Sequence, residues 1–84
     1  MTEVFFIMKD YVARMIDELK ELNGKIAKLN EAVDNDSFME EIGREKASLL
    51  ECQLAAMNSY GTVLSNRILI ELEEGNCTLE DLPQ

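Results

Sequence analysis

The most informative stretch of this chain for its fold is Ala47–Asn66, ASLLECQLAAMNSYGTVLSN. It carries a single formal charge, Glu51, although 30% of the 84 residues are charged. A helix that stands alone in water needs a polar face, and this stretch is too apolar to supply one. The sequence therefore predicts a helix that is covered on more than one side, first by its own chain and then by further copies.

The first part of the chain carries an uninterrupted apolar heptad stripe. Its members follow one another in steps of three and four residues: Phe5, Met8, Val12, Met15, Leu19, Leu22, Ile26, Leu29 and Val33. Such a stripe is typical of a helix that packs on another helix. It predicts a first helix over about residues 3–33, with Thr2 as its cap.

Four residues of types common in turns follow at Asp34–Ser37, and the spacing of Ser37 and Glu40 matches a capping box. We expect a second helix over about residues 38–74, antiparallel to the first, with Gly61 as the place of any break. Gly75 is the expected helix stop. The expected architecture is all-α: a two-helix hairpin domain over residues 1–75, followed by a loose C-terminal tail over residues 76–84.

The second helix has two apolar stripes side by side. One comprises Ala47, Leu50, Leu54, Met57, Gly61, Leu64 and Ile68, and the other comprises Ile42, Leu49, Ala56, Tyr60, Val63 and Ile70. One stripe suffices to pack on the first helix. The other needs a further surface, and a second copy of the chain is the simplest supply. The sequence thus predicts a homo-oligomer.

Composition argues against several classes of protein. The formal net charge of −9 disfavours a protein that coats DNA or RNA and one that binds an anionic membrane surface. No signal peptide or membrane span is predicted, because the apolar runs are short or interrupted by polar residues. Cys52 and Cys77 are expected to be free thiols in a reducing cytoplasm. With no histidine, no catalytic constellation and no metal site emerge, so we expect a non-enzyme without a cofactor.

Folding the hairpin at Asp34–Ser37 brings together residues whose numbers sum to about 71. In this register Tyr11 lies beside Tyr60, and Arg14 and Arg67 complete a band at the end away from the turn. Such a band suits a small anion, since guanidinium groups bind phosphate and tyrosine rings stack on bases. In the alternative interpretation, which the residues alone favour, the arginines pair with acids of a neighbouring subunit and the tyrosines fill the interface.

Two segments resemble a known family. YVARMIDELKELNGKIAKLN (Tyr11–Asn30) and LLECQLAAMNSYGTVLSNRI (Leu49–Ile68) are similar to very small helical proteins of tailed bacteriophages, related to a crAss-like phage protein. The resemblance implies a phage origin and a role in the cytoplasm of an infected bacterium. By architecture alone, the hairpin is similar to phage counter-defence sponges, which oligomerise and sequester the nucleotide signals of bacterial immunity.

These observations lead to one functional hypothesis and two alternatives. The hypothesis is a homo-oligomer that binds a cyclic or ADP-ribose-type signalling nucleotide without cleaving it, through Tyr11, Arg14, Tyr60 and Arg67. The first alternative is an acidic inhibitor that occupies the basic nucleic-acid channel of a host defence protein. The second is a structural coiled-coil module with no small ligand.

Overall fold

The chain folds into three α-helices and one short 3₁₀ helix in a computed structural model that describes residues 9–83. The elements are α1 (Asp10–Val33), α2 (Asp36–Ile42), α3 (Arg44–Glu73) and the 3₁₀ helix (Leu79–Asp81). No β-strand occurs within these described residues. The prediction of an all-α fold is therefore confirmed.

The first helix begins later than the heptad stripe predicts. Lys9 is extended, with φ −67° and ψ 146°, so α1 begins at Asp10 and not near residue 3. Asp10 places an acid in the first turn, where the positive end of the helix dipole favours it. The predicted cap Thr2 and the stripe members Phe5 and Met8 lie outside the described residues.

The predicted second helix is divided in two at Gly43. This glycine has φ +91°, a conformation that residues with a side chain rarely adopt. α2 begins at Asp36 because the Oδ1 of Asn35 accepts a hydrogen bond of 3.0 Å from the backbone N–H of Phe38. The predicted cap at Ser37 is wrong, since Ser37 lies within α2. The hairpin therefore carries a short third helix at its turn.

α3 passes through Gly61 without interruption, so the choice of Gly61 as the place of any break is wrong. Gly61 is buried where α3 meets α1. A Cβ atom at this position would lie 3.6 Å from Cδ2 of Leu22 and 3.7 Å from Cδ1 of Ile26. Both are ordinary van der Waals distances, so the packing of the two helices does not require a glycine here.

α1 and α3 run antiparallel. Three pairs of facing residues show their register: Tyr11 with Glu71, Met15 with Arg67, and Leu22 with Gly61. The numbers of these pairs sum to about 82, whereas the sequence predicts about 71. The difference arises because α2 occupies residues that the prediction had assigned to the returning helix.

The buried core lies toward the end of the hairpin away from the turn. It consists of Val12, Met15, Ile16, Leu19, Leu64, Ile68 and Cys77. Most of these side chains belong to the two stripes that were predicted to meet, so those stripes are confirmed as the packed faces. Toward the turn the packing is looser, and Leu50, Leu54 and Met57 are only half-buried.

α3 ends in a Schellman motif, and Gly75 is the helix stop that the sequence predicts. Gly75 has φ +82° and donates its N–H to the carbonyl of Leu72 at 3.1 Å. Asn76 donates its N–H to the carbonyl of Glu71 at 2.8 Å. These two bonds satisfy carbonyl groups that the end of a helix otherwise leaves without a partner.

The residues after this motif pack on the helices in place of the loose tail expected from the sequence. Cys77 is 3% exposed and belongs to the core, and Leu82 packs against that core. Thr78 and Asp81 form a capping box, in which the Oδ2 of Asp81 accepts from the N–H and the Oγ1 of Thr78 at 2.9 and 3.0 Å. The C-terminal segment is thus packed on the core by Cys77 before its 3₁₀ helix and by Leu82 after it.

Candidate functional site

One side of α3 carries a row of exposed apolar side chains. The row consists of Leu49 (64% exposed), Tyr60 (43%), Val63 (55%) and Ile70 (52%). All four belong to the second stripe, for which the sequence predicts a partner surface. Single exposed apolar residues are common, but several on one side of a helix are typical of a surface that contacts another molecule. We call this row the α3 apolar face.

Tyr60 and Arg67, two of the predicted ligand-binding residues, lie along the α3 apolar face. They are two helical turns apart, which places them on one side of α3 with about 10 Å between them along the axis. The Nη2 of Arg67 lies 3.7 Å from the Sδ of Met15. The guanidinium group therefore reaches from α3 across to α1 at the end away from the turn.

Tyr11 and Arg14, the other two predicted residues, are exposed and one turn apart near the start of α1. The Oη of Tyr11 donates a hydrogen bond of 2.8 Å to the Oε1 of Glu71. Glu71 follows Tyr60 by three turns, or about 16 Å along the axis, so Tyr11 does not lie beside Tyr60. Arg14 is the residue before Met15, whose sulfur atom the guanidinium group of Arg67 contacts. The structure thus gathers three of the four predicted residues at one end and leaves Tyr60 apart.

Glu71 adds a negative charge to this end of the hairpin. Its Oε1 accepts hydrogen bonds of 2.8 Å from the Oη of Tyr11 and from the Nδ2 of Asn76. These bonds, aided by the charges of Lys9 and Arg67, lower the pKa of the Glu71 carboxyl, and the bond to Glu71 raises the pKa of Tyr11. A ligand anion at Arg67 must therefore compete with a carboxylate that stays ionised.

An open groove of about 400 Å³ lies at the turn, where α2 meets α1 and α3. The side chains that define it are Lys25, Lys28, Leu29, Phe38, Leu50 and Met57, and we call it the turn groove. Sequence reasoning missed it because α2 was taken for the start of a long helix. The available signal was the pair of lysines one turn apart beside an apolar stripe.

A second open groove, of about 310 Å³, lies between α1 and α3 around Gly61. Its polar lining consists of amides and hydroxyls: Asn23, Asn58, Thr62, Ser65 and Asn66. None of these side chains is charged. The groove can therefore offer hydrogen bonds to a neutral polar group but gives no attraction to an anion.

Metal clusters, unpartnered buried polar groups and membrane-spanning helices are absent from the described part of the chain, residues 9–83. No group of three or more histidine, cysteine, aspartate or glutamate side chains is placed to hold a metal ion there. Every buried polar side-chain atom in that range has a hydrogen-bond partner. None of the helices found in it has the length and apolar character that a membrane crossing requires.

Comparison with known proteins identifies a family. No curated protein and no solved structure matches the chain. The profile of a protein family described as Sequestin matches residues 9–70, which is more than half of the 84 residues. The matched span includes α1, α2, most of α3, all four predicted ligand-binding residues and the turn groove, and it ends before Glu71. The chain therefore belongs to the Sequestin family.

Proposed function

We propose that this chain binds a small nucleotide-type ligand and sequesters it without cleaving it. The name of the family, Sequestin, supports sequestration as the activity. The resemblance of both long helices to small phage proteins supports a role in the cytoplasm of an infected bacterium. The ligand is then a cyclic or ADP-ribose-type signalling nucleotide of host immunity, and the protein acts as a counter-defence sponge.

The observation that carries the proposal is the place of Arg67 on the α3 apolar face, where its guanidinium reaches toward α1. A guanidinium offers a planar fork of N–H donors that suits phosphate oxygens. Tyr60, on the same face, offers a flat ring on which a base can stack. Arg14 and Tyr11 lie at the same end as Arg67 and extend the site onto α1.

A second copy of the chain completes this site. On one hairpin the α3 apolar face is open to water, whereas small-molecule sites usually cover most of the ligand's surface. A second copy on the same face would cover the exposed apolar side chains and bring a second set of arginines and tyrosines. Doubling the arginines would also raise the local positive charge in a chain whose net charge is −9.

Calorimetry with a panel of cyclic and ADP-ribose-type nucleotides tests the proposal on the full chain. We expect binding, with the ligand recovered unchanged on release. Arg14→Ala and Arg67→Ala should each weaken binding about tenfold or more, because each removes a charged hydrogen-bond donor. Sedimentation should show an unchanged oligomer mass for both variants.

Arg44→Ala is the matched control, because Arg44 is an exposed arginine at the start of α3, far from the site. It should leave binding within about twofold of the unsubstituted chain. An absence of heat with every nucleotide, at concentrations where the oligomer is formed, would refute the proposal. Loss of the oligomer in the arginine variants would instead show that the arginines serve the interface.

The charge of the chain favours a second candidate function. Its 17 acidic residues outnumber 8 basic ones, so its acidic faces suit the basic nucleic-acid channel of a host defence enzyme. Such a complex would weaken steeply with added salt and would be insensitive to Arg14→Ala and Arg67→Ala.

The heptad stripe also suits a structural coiled-coil module, for which a pull-down would return only structural phage proteins.

A further inference from the structure

The charge of the turn groove contrasts with that of the whole chain. Acidic residues outnumber basic residues 17 to 8, yet the two charged side chains that line this groove are both lysines. Lys25 and Lys28 are one turn apart on α1. Two cations at the edge of an apolar concavity attract anions to it, because the low-dielectric wall concentrates their field.

The floor of the turn groove is apolar and is built from all three helices. Leu29 lies on α1, Phe38 on α2, and Leu50 and Met57 on α3. The leucines and Met57 are half-buried, so helix packing fixes their positions, while the ring of Phe38 is 37% exposed. A phenyl ring and a thioether both make favourable contacts with flat aromatic groups.

The size of the turn groove suits a small molecule better than a second copy of the chain. Its volume of about 400 Å³ falls in the range of small-molecule sites, about 300–1,000 Å³. A stable protein interface covers about 800 Å² on each partner, and the α3 apolar face, whose exposed side chains run from Leu49 to Ile70, is the more extended of the two surfaces. Tyr60 lies one turn beyond Met57 on α3, so the groove adjoins that face.

We propose that the turn groove binds a flat aromatic anion, with its ring against Phe38 and Met57 and its anionic group at Lys25 and Lys28. The inference rests on the proposed function for the identity of the natural ligand. In a nucleotide, the base would lie on the apolar floor and a phosphate at the lysines. An extended nucleotide would continue along α3 toward Tyr60 and Arg67.

Two fluorescent probes test the groove without a nucleotide. Anilinonaphthalene sulfonate is a flat aromatic anion, and phenylnaphthylamine is its uncharged counterpart. We expect the full-length double variant Lys25→Gln/Lys28→Gln to bind the sulfonate about tenfold more weakly and the neutral probe within about twofold. Lysine and glutamine have similar helix propensities, so circular dichroism should show the fold unchanged.

The matched control is Lys9→Gln/Lys20→Gln, which removes the same charge from two exposed lysines away from the turn. It should leave the affinity for both probes within about twofold. An equal loss of sulfonate binding in this control, or no loss in Lys25→Gln/Lys28→Gln, would overturn the inference. Sulfonate binding that disappears as the protein self-associates would also overturn it, because a second copy would then occupy the groove.

The failure of this inference can be distinguished from the failure of the proposed function. Nucleotide binding that Arg67→Ala abolishes and Lys25→Gln/Lys28→Gln leaves intact would support the function and overturn the groove as its base site. An absence of nucleotide binding together with lysine-dependent sulfonate binding would refute the function. That second result would still support the turn groove as a site for an aromatic anion.

Discussion

The hydroxyl of Tyr11 donates a hydrogen bond of 2.8 Å to the Oε1 of Glu71, although the two residues are 60 positions apart. The same oxygen accepts a hydrogen bond of 2.8 Å from the Nδ2 of Asn76. One carboxylate therefore joins the start of α1, the end of α3 and the C-terminal segment. This contact also establishes the register of α1 against α3. The register predicted from the sequence would instead place Tyr11 beside Tyr60.

Glu71→Gln should reduce the loss of stability in acid. Hydrogen bonds to its carboxylate lower the pKa of Glu71 below its ordinary value of 4.5 in the folded chain. The resulting stabilisation is complete above that ordinary value and is lost as the pH falls through the lowered folded pKa. Thermal unfolding measured from pH 7 to pH 3 should therefore show a stability difference between wild type and Glu71→Gln that shrinks toward low pH.

The control for this titration is Glu73→Gln, which changes an exposed glutamate on the same turn of α3. It removes the same formal charge and leaves in place the hydrogen bonds that Glu71 accepts. Tyr11→Phe, which removes the hydroxyl donor, should bring the pKa of Glu71 back toward its ordinary value in a carbon-detected NMR titration. A difference between wild type and Glu71→Gln that stays constant from pH 7 to pH 3 would contradict the prediction.

Gly61→Ala should stabilise the chain by about 1 kcal/mol, because alanine has the higher helix propensity in the interior of a helix. The added Cβ would meet Leu22 and Ile26 at ordinary contact distances, so no clash opposes the gain. Chemical denaturation at low protein concentration measures the change. Gly24→Ala is the matched control, since a Cβ at Gly24 has no heavy atom within 4 Å and reports helix propensity alone.

If Gly61→Ala raises the free energy of unfolding more than Gly24→Ala does, the difference measures the extra packing of the new methyl group against α1. Destabilisation by Gly61→Ala would show that another molecule approaches α3 closely at this position.

Gly75→Ala should destabilise the chain by more than about 1 kcal/mol, because Gly75 has φ +82° at the Schellman motif.

Val63→Asp should prevent self-association and leave the hairpin folded. Val63 lies in the middle of the α3 apolar face and is exposed in the single chain. A carboxylate there has little effect on one hairpin, but a second copy seated on this face would bury it without a partner. Sedimentation should therefore report a monomer with an unchanged helical circular dichroism spectrum.

Thr62→Asp is the control for this variant, because it adds the same charge to the neighbouring exposed residue, which lines the second groove, around Gly61. Its oligomer mass should match that of the wild type. The hypothesis of self-association would fail if the wild-type chain sedimented as a stable monomer at micromolar concentration. The ligand site between two copies would then fail as well.

The two cysteines should differ in their rates of reaction with a thiol reagent. Cys52 is exposed, whereas Cys77 is buried in the core and its burial raises its pKa. Since the thiolate is the reactive species, Cys77 should react slowly at mildly alkaline pH and only when the C-terminal segment opens. Release of the chromophore from a disulfide reagent over time measures both rates.

Cys52→Ser should abolish the fast phase of this reaction and leave the slow phase. Denaturant should convert the slow phase into a fast one, because unfolding exposes Cys77. Equal reaction rates for the Cys52 and Cys77 thiols in the native protein would show that residues 76–83 do not stay packed on the core. They would then behave as the loose tail that the sequence alone suggests.

Much of the fold was predictable from local periodicity. Val12, Met15, Leu19 and Leu22 were expected on one face of α1, and all four are buried. The members of the second stripe that lie on α3, Val63 among them, were expected to remain without a partner within one chain, and they are exposed. Ile42, the remaining member, lies on α2 and is half-buried. A 3.6-residue period identifies such faces because every residue's side follows from its position in the helix.

The candidate site was less predictable. Arg67 and Tyr60 were correctly assigned to one side of one helix, since their spacing is two turns. The pairing of Tyr11 with Tyr60 was wrong, because it depended on where the chain turns back. The turn groove was missed for the same reason, because Phe38 contributes to it from a helix that the sequence did not separate from α3.

Periodicity alone was enough to establish that this chain is helical, which face of each long helix is packed, and that one face of α3 remains apolar and exposed. The axial position of α3 relative to α1 depended on the folded chain, and this position places Tyr11 beside Glu71 and Cys77 in the core. A periodic pattern identifies a side of a helix but no position along its axis. That position depends on the cap at Asn35, the positive φ of Gly43 and contacts between distant residues.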